Sequence, residues 1–97
     1  MKAETMKLGK SIRRIVRTDP ERWRVELEYE DGFRGTVDLG FLFGSPKAKP
    51  LVREILRGEL FGRCFVESGA LAWPNGYELC PDAIRRWIDE GSATKVA

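Results

Sequence analysis

The sequence predicts an α+β domain: a two-layer antiparallel sheet with helices on one face, in the order β-β-β-α-β-β-α. Three observations predict it. Apolar residues alternate with polar ones at strand period, most cleanly where Trp23, Val25, Leu27 and Tyr29 interleave with Arg24, Glu26 and Glu28. After Pro50 and again after Pro81 the period becomes helical, with one apolar stripe each. The turn dipeptides Asp31-Gly32, Ser68-Gly69 and Asn75-Gly76 separate the apolar runs. Strands with one apolar face and helices with one apolar stripe bury both by stacking in layers. A length of 97 residues fits one domain, placed at 11–91, with a loose basic arm at 1–10 and a frayed tail at 92–97.

Ser11 to Thr18 reads as the first strand, with Ile12, Ile15 and Val16 as its apolar residues. Their alternation is imperfect, which predicts an edge position or a bulge. Thr18-Asp19-Pro20-Glu21 is a turn. The hairpin after it has a register that can be derived. A two-residue loop would set Leu27 opposite Thr36 and Val25 opposite Asp38, mixing core and solvent faces. A three-residue loop, Glu30-Asp31-Gly32, pairs Tyr29 with Phe33, Leu27 with Gly35, Val25 with Val37 and Trp23 with Leu39. It places Gly32 in the left-handed position and Glu28 opposite Arg34 on the outer face.

Phe41-Leu42-Phe43 is expected to pack across one end of the sheet before Gly44-Ser45-Pro46 breaks the chain. From Pro50 a short helix would bury Leu51, Val52, Ile55 and Leu56 and end at Gly58. Leu60 and Phe61 close the core after it. Arg63 to Glu67 and Ala70 to Trp73 form a second hairpin around Ser68-Gly69, pairing Val66 with Leu71 and Cys64 with Trp73. Pro74 then stops the strand, Asn75-Gly76 turns, and Tyr77, Glu78 and Leu79 run extended. Pro81 and Asp82 open the last helix, to about Glu90. Ala83, Ile84, Trp87 and Ile88 form its buried face, Arg85 and Arg86 its outer one, and Gly91 ends it.

Composition restricts function. There is no histidine, which removes Ser-His-Asp and Cys-His nucleophilic sites and every His-bearing metal site. Neither a Walker loop nor a Gly-x-Gly-x-x-Gly turn is present. The two cysteines, Cys64 and Cys80, lack framework spacing, and a reducing, cytoplasmic setting is expected. Cys64 reads as a small buried residue. Cys80 precedes a helix, where amides can favour thiolate, although a capping role is the plainer reading. Asp38, Glu78 and Asp82 could serve acid–base chemistry, but no pattern faces two carboxylates across a cleft. No catalytic residue, metal or cofactor is expected, and no apolar run reaches membrane-spanning length.

Binding is left as the expected activity. The stretch from Trp73 to Asp82 offers Asn75, Tyr77 and Glu78 as a rigid polar-aromatic surface, with Tyr77 the best candidate for an exposed aromatic. Its plainer reading is a connector between hairpin and helix. The alternative is nucleic-acid binding through Lys7, Lys10, Arg13, Arg14 and Arg17. Against it, 17 basic residues face 15 acidic ones, and arginines on an edge strand also serve as edge protection.

The tryptophan-bearing strand, Asp31-Gly32, Val37-Asp38-Leu39, Trp73-Pro74-Asn75-Gly76, Glu78-Leu79 and Pro81-Asp82 together resemble the bacterial domain-of-unknown-function family numbered 2442. The resemblance runs from about Ile12 to Ile88, and the Trp-Pro-Asn-Gly and Pro-Asp block is its most specific part. It implies a small α+β domain in a bacterial protein, often encoded beside another small protein as toxin–antitoxin pairs are. Some relatives add a helix-turn-helix domain, which is not expected here because the sequence ends soon after the last helix. The resemblance therefore implies an antitoxin-like or regulatory role with a small protein partner, and supplies no catalytic residues. A second copy of the chain is a further possible partner; a membrane is not expected.

Overall fold

The computed structural model describes residues 11–91. Strands β1 (Ile12–Asp19), β2 (Arg24–Tyr29) and β3 (Arg34–Asp38) form one antiparallel sheet in that order. Strands β4 (Phe65–Glu67), β5 (Ala70–Ala72) and β6 (Glu78–Leu79) form a second. Helices α1 (Gly40–Phe43) and α2 (Pro50–Arg57) lie between the sheets in sequence, and α3 (Pro81–Asp89) follows them. The α+β class and the β-β-β-α-β-β-α order hold, with two additions. Phe41-Leu42-Phe43 coils into α1, and Glu78-Leu79 pairs with β5 as a sixth strand. The sheet is divided in two, and the Ile12 amide bridges the parts by donating to the Gly69 carbonyl at 2.9 Å.

One apolar cluster unites these pieces. Val25, Leu27 and Tyr29 of β2, Val37 and Leu39 at the end of β3, Val52 and Ile55 of α2, Leu71 and Trp73, and Ile84 of α3 are all buried in it. Each such side chain contributes roughly 1.5–3 kcal/mol by leaving water. β1 is an edge strand and its register shifts twice, between Ile12 and Arg14 and between Ile15 and Arg17. These bulges are the physical form of its imperfect alternation.

The β2–β3 register matches the three-residue loop. Val25 faces Val37, Leu27 faces Gly35, and Gly32 has φ of 91°. The second hairpin pairs Val66 with Leu71, with Ser68 and Gly69 both at positive φ as a two-residue turn requires. The Trp73–Tyr77 turn repeats the first loop. Tyr29 N–H donates to Phe33 O at 2.8 Å, and Trp73 N–H to Tyr77 O at 2.9 Å. Gly32 N–H returns to Tyr29 O and Gly76 N–H to Trp73 O, each at 3.0 Å. Asp31 Oδ1 accepts from Phe33 N–H at 3.1 Å, and Asn75 Oδ1 from Tyr77 N–H at 3.2 Å. The flanking rings stand 5.8 Å and 5.7 Å apart. The pattern aromatic-x-Asx-Gly-aromatic thus builds the same bulged turn twice.

Several expectations are corrected. Leu51 is 39% exposed, because α2 buries only Val52 and Ile55 fully and Leu51 falls off that stripe. Gly58 caps α2 at φ −88°, and the left-handed residue is Glu59, at 55°. Glu28 does stand opposite Arg34 in the register, but the side chains take other partners: Glu28 pairs with Arg14 at 2.8 Å and Arg34 with Glu26 at 3.2 Å. Arg85 does not point away. Its guanidinium lies 3.7 Å from the centre of the Phe33 ring and 3.3 Å from Asp31, pinning α3 to the first hairpin. Tyr29 reinforces this, its hydroxyl donating to the Pro81 carbonyl at 2.8 Å.

Candidate functional site

Three surfaces compete for a functional role. At the first, the hinge, Asn75 is engaged in holding the fold. Its Nδ2 donates to the Leu51 carbonyl at 3.0 Å and to Glu54 Oε1 at 3.2 Å, tying the turn to α2. Tyr77 is half-buried, which corrects its expected exposure. Its ring packs on Trp73 and lies 6.4 Å from Phe43, and burial raises its pKa. Glu78 is exposed on β6. The hinge thus presents a half-buried aromatic ring beside the exposed Glu78 carboxylate, on a backbone fixed by side-chain bonds.

The second surface is the outer face of the first sheet. Lys7 and Lys10 lie outside the described residues. Arg13, Arg14 and Arg17 are exposed, and each faces an acid: Glu30 at 3.5 Å, Glu28 at 2.8 Å and Glu26 at 3.9 Å. Arg24 meets Asp38 at 3.2 Å and Arg22 meets Asp19 at 3.4 Å. A polar trough of about 630 Å³ lies among Arg17, Arg22, Arg24, Glu26 and the two threonines Thr18 and Thr36. The face is a lattice of alternating signs, and a phosphate backbone would have to displace its carboxylates one by one.

The third surface was not legible as a site in the sequence. An apolar cleft of about 420 Å³ opens between the β1–β2 loop and the end of α2. Pro20, Trp23, Ile55, Leu56 and Phe61 form its walls, with Glu21 and Glu59 at the same opening. Two of these residues are in an unfavourable backbone conformation. Trp23 has φ of 56° and Glu59 of 55°. Left-handed geometry costs a residue with a Cβ about 1–2 kcal/mol. The only other described residue of this kind, Ser68, sits in a turn that demands it.

Local chemistry explains how each is held. Asp19 pairs with Arg24, leaving a four-residue loop whose last residue, Trp23, must turn back into β2. The expected Trp23–Leu39 pairing survives, since Leu39 N–H donates to Trp23 O at 2.8 Å. The indole is displaced from the core, half-buried against α1. A Cβ on Gly44 would come within 2.9 Å of its Cζ3, so only glycine admits the ring there. Glu59 ends α2. Its N–H donates to Leu56 O at 3.2 Å, and Leu60 N–H to Ile55 O at 2.8 Å. This is the Schellman arrangement, with Glu in the position that glycine usually fills.

The thiols offer no joint site. Cys64 is partly buried, and burial pushes its pKa up to about 11. Cys80 is exposed at the start of α3. Among the described residues no group of three His, Cys, Asp or Glu side chains is placed to hold a metal ion. Among them, too, no helix is long and apolar enough to cross a membrane. In comparisons with protein families, curated proteins and solved structures, nothing matches the chain.

Proposed function

We propose that this chain is a non-catalytic protein-binding module of the antitoxin-like or regulatory kind, as the family resemblance implies, and that the Trp23 cleft is its main contact surface. The observation that carries this is the convergence of two strained, side-chain-bearing residues on one apolar cleft. A glycine at either position would relieve the strain, so retaining Trp and Glu there is explained by what their side chains do. A half-buried tryptophan beside Leu56 and Phe61 is the kind of anchor that dominates protein interfaces. The hinge adds a second element, in which Asn75 holds the turn while Tyr77 and Glu78 face the partner.

The alternative, nucleic-acid binding through Lys7, Lys10, Arg13, Arg14 and Arg17, ranks second because the three described arginines already face carboxylates. Affinity capture from host-cell lysate at low salt, with nuclease, tests the reading. A small protein retained in near-stoichiometric amount by the native chain, and lost with Leu56→Ser, is the expected result. Nucleic acid retained without nuclease and released by salt would favour the alternative. Retention of a protein partner unaffected by Leu56→Ser would move the contact surface away from the cleft.

A further inference from the structure

We infer that the cleft takes a peptide segment of its partner bearing one bulky apolar side chain flanked by lysine or arginine. This rests on the protein-binding reading above and specifies the partner's chemistry. The cleft's 420 Å³ lies within the roughly 300–1,000 Å³ of pockets that enclose a ligand group. Its accessible apolar surface comes from Pro20, Trp23 and Leu56, with Ile55 and Phe61 buried behind them, and an aromatic or branched aliphatic side chain would cover it.

Charge selects the flanks. Both ionisable residues lining the cleft, Glu21 and Glu59, are acids in a chain of net charge +2. Neither makes an ion pair or side-chain hydrogen bond among the described residues, whereas the sheet-face acids Glu26, Glu28 and Asp38 are all paired. Arg22, adjacent to Glu21, is turned to Asp19 at 3.4 Å. Covering the cleft with a neutral or acidic segment would desolvate two carboxylates, or set like charges together, with nothing in return. A segment with basic flanks supplies the missing countercharges. Strain at Glu59 fits the same purpose, since a glycine there would remove one of the two carboxylates.

The test is selection of a random displayed peptide library on the whole chain at low ionic strength. Parallel selections use Glu21→Gln/Glu59→Gln and Leu56→Ser. Both glutamines replace exposed side chains, so that variant retains the fold; urea unfolding checks the serine variant. The native chain is expected to enrich peptides with one Trp, Phe, Leu or Met and nearby Lys or Arg. Replacing those basic residues by Glu should weaken binding at least about tenfold, which is 1.4 kcal/mol. The glutamine variant should enrich the same apolar anchor without basic flanks, and Leu56→Ser should enrich neither. Apolar anchors without basic flanks on the native chain would overturn the charge inference and leave the cleft as a contact surface. No enrichment, or enrichment indifferent to Leu56→Ser, would overturn both.

Discussion

At Glu59 a single backbone angle separates what stability prefers from what the chain carries. The residue sits at the left-handed position that ends α2, with φ of 55°. Glycine has no Cβ to clash there, so Glu59→Gly should stabilise the fold by about 1 kcal/mol, measured by urea unfolding. The same variant should lose affinity for the partner, since it deletes a rim carboxylate. At Gly32, φ of 91°, the opposite substitution is informative. A built Cβ meets nothing within 4 Å, so Gly32→Val would act through backbone strain alone. It should destabilise by about 1–2 kcal/mol, and unchanged stability would refute the loop assignment. The two thiols should separate cleanly. Cys80 is exposed and should react with a thiol reagent in the folded chain, while Cys64 should react chiefly on unfolding.

The twin turns show how an element's sequence answers to its neighbours. Both use an Asx Oδ1 to accept the amide two residues on, and either Asp or Asn could do that. What differs is the partner beyond the turn. Asp31 meets the Arg85 guanidinium at 3.3 Å, while the Asn75 amide meets a carbonyl and the Glu54 carboxylate. Exchanging the side chains is therefore asymmetric. Asn75→Asp keeps the turn bond but sets a carboxylate against two acceptors, and should cost about 1–3 kcal/mol in an unfolding titration. Asp31→Asn keeps the turn bond and weakens a partly exposed ion pair, about 1 kcal/mol or less. Equal costs would mean that the turn bond, not the contact beyond it, decides the residue.

Across the whole molecule, one core couples both sheets to α3, and its titratable members set the alkaline limit. The Cys64 thiol is raised from an ordinary 9.0 to about 11 by burial, and Tyr29 is raised well above 10.0 for the same reason, partly opposed by Arg85. Groups with raised pKa bind protons more tightly when folded. The stability they confer is whole below their unfolded pKa and is lost as pH rises towards the folded one. Urea midpoints should therefore hold to about pH 9 and fall steadily above it, and Cys64→Ala should flatten the part of that fall between 9.0 and about 11. A flat profile from pH 8 to 11 in the native chain would contradict the burial of both groups. Tyr29→Phe removes the bond to Pro81 and should loosen α3 by about 1 kcal/mol, seen as faster amide exchange there.

Local chemistry is what the sequence determined by itself. Strand period, turn dipeptides and helix-opening prolines act within a few residues, so the hairpin register at Val25–Val37, the Ser68-Gly69 turn and the α+β order were all legible. Only the tertiary structure decided the rest. Arg85 reads as a solvent residue until Phe33 and Asp31 arrive from 52 and 54 positions away. Leu51 lies in an apolar run, yet the orientation of α2 leaves it outside. The cleft is composed of a loop after β1 and the end of α2, distant in sequence, and no spacing rule connects Glu21 with Glu59. Trp23 continues a strand's alternation on paper. Closure of a four-residue loop turns its backbone over and carries the indole from the core to the wall of a cleft, because loop geometry and the space above Gly44 outweigh the strand pattern.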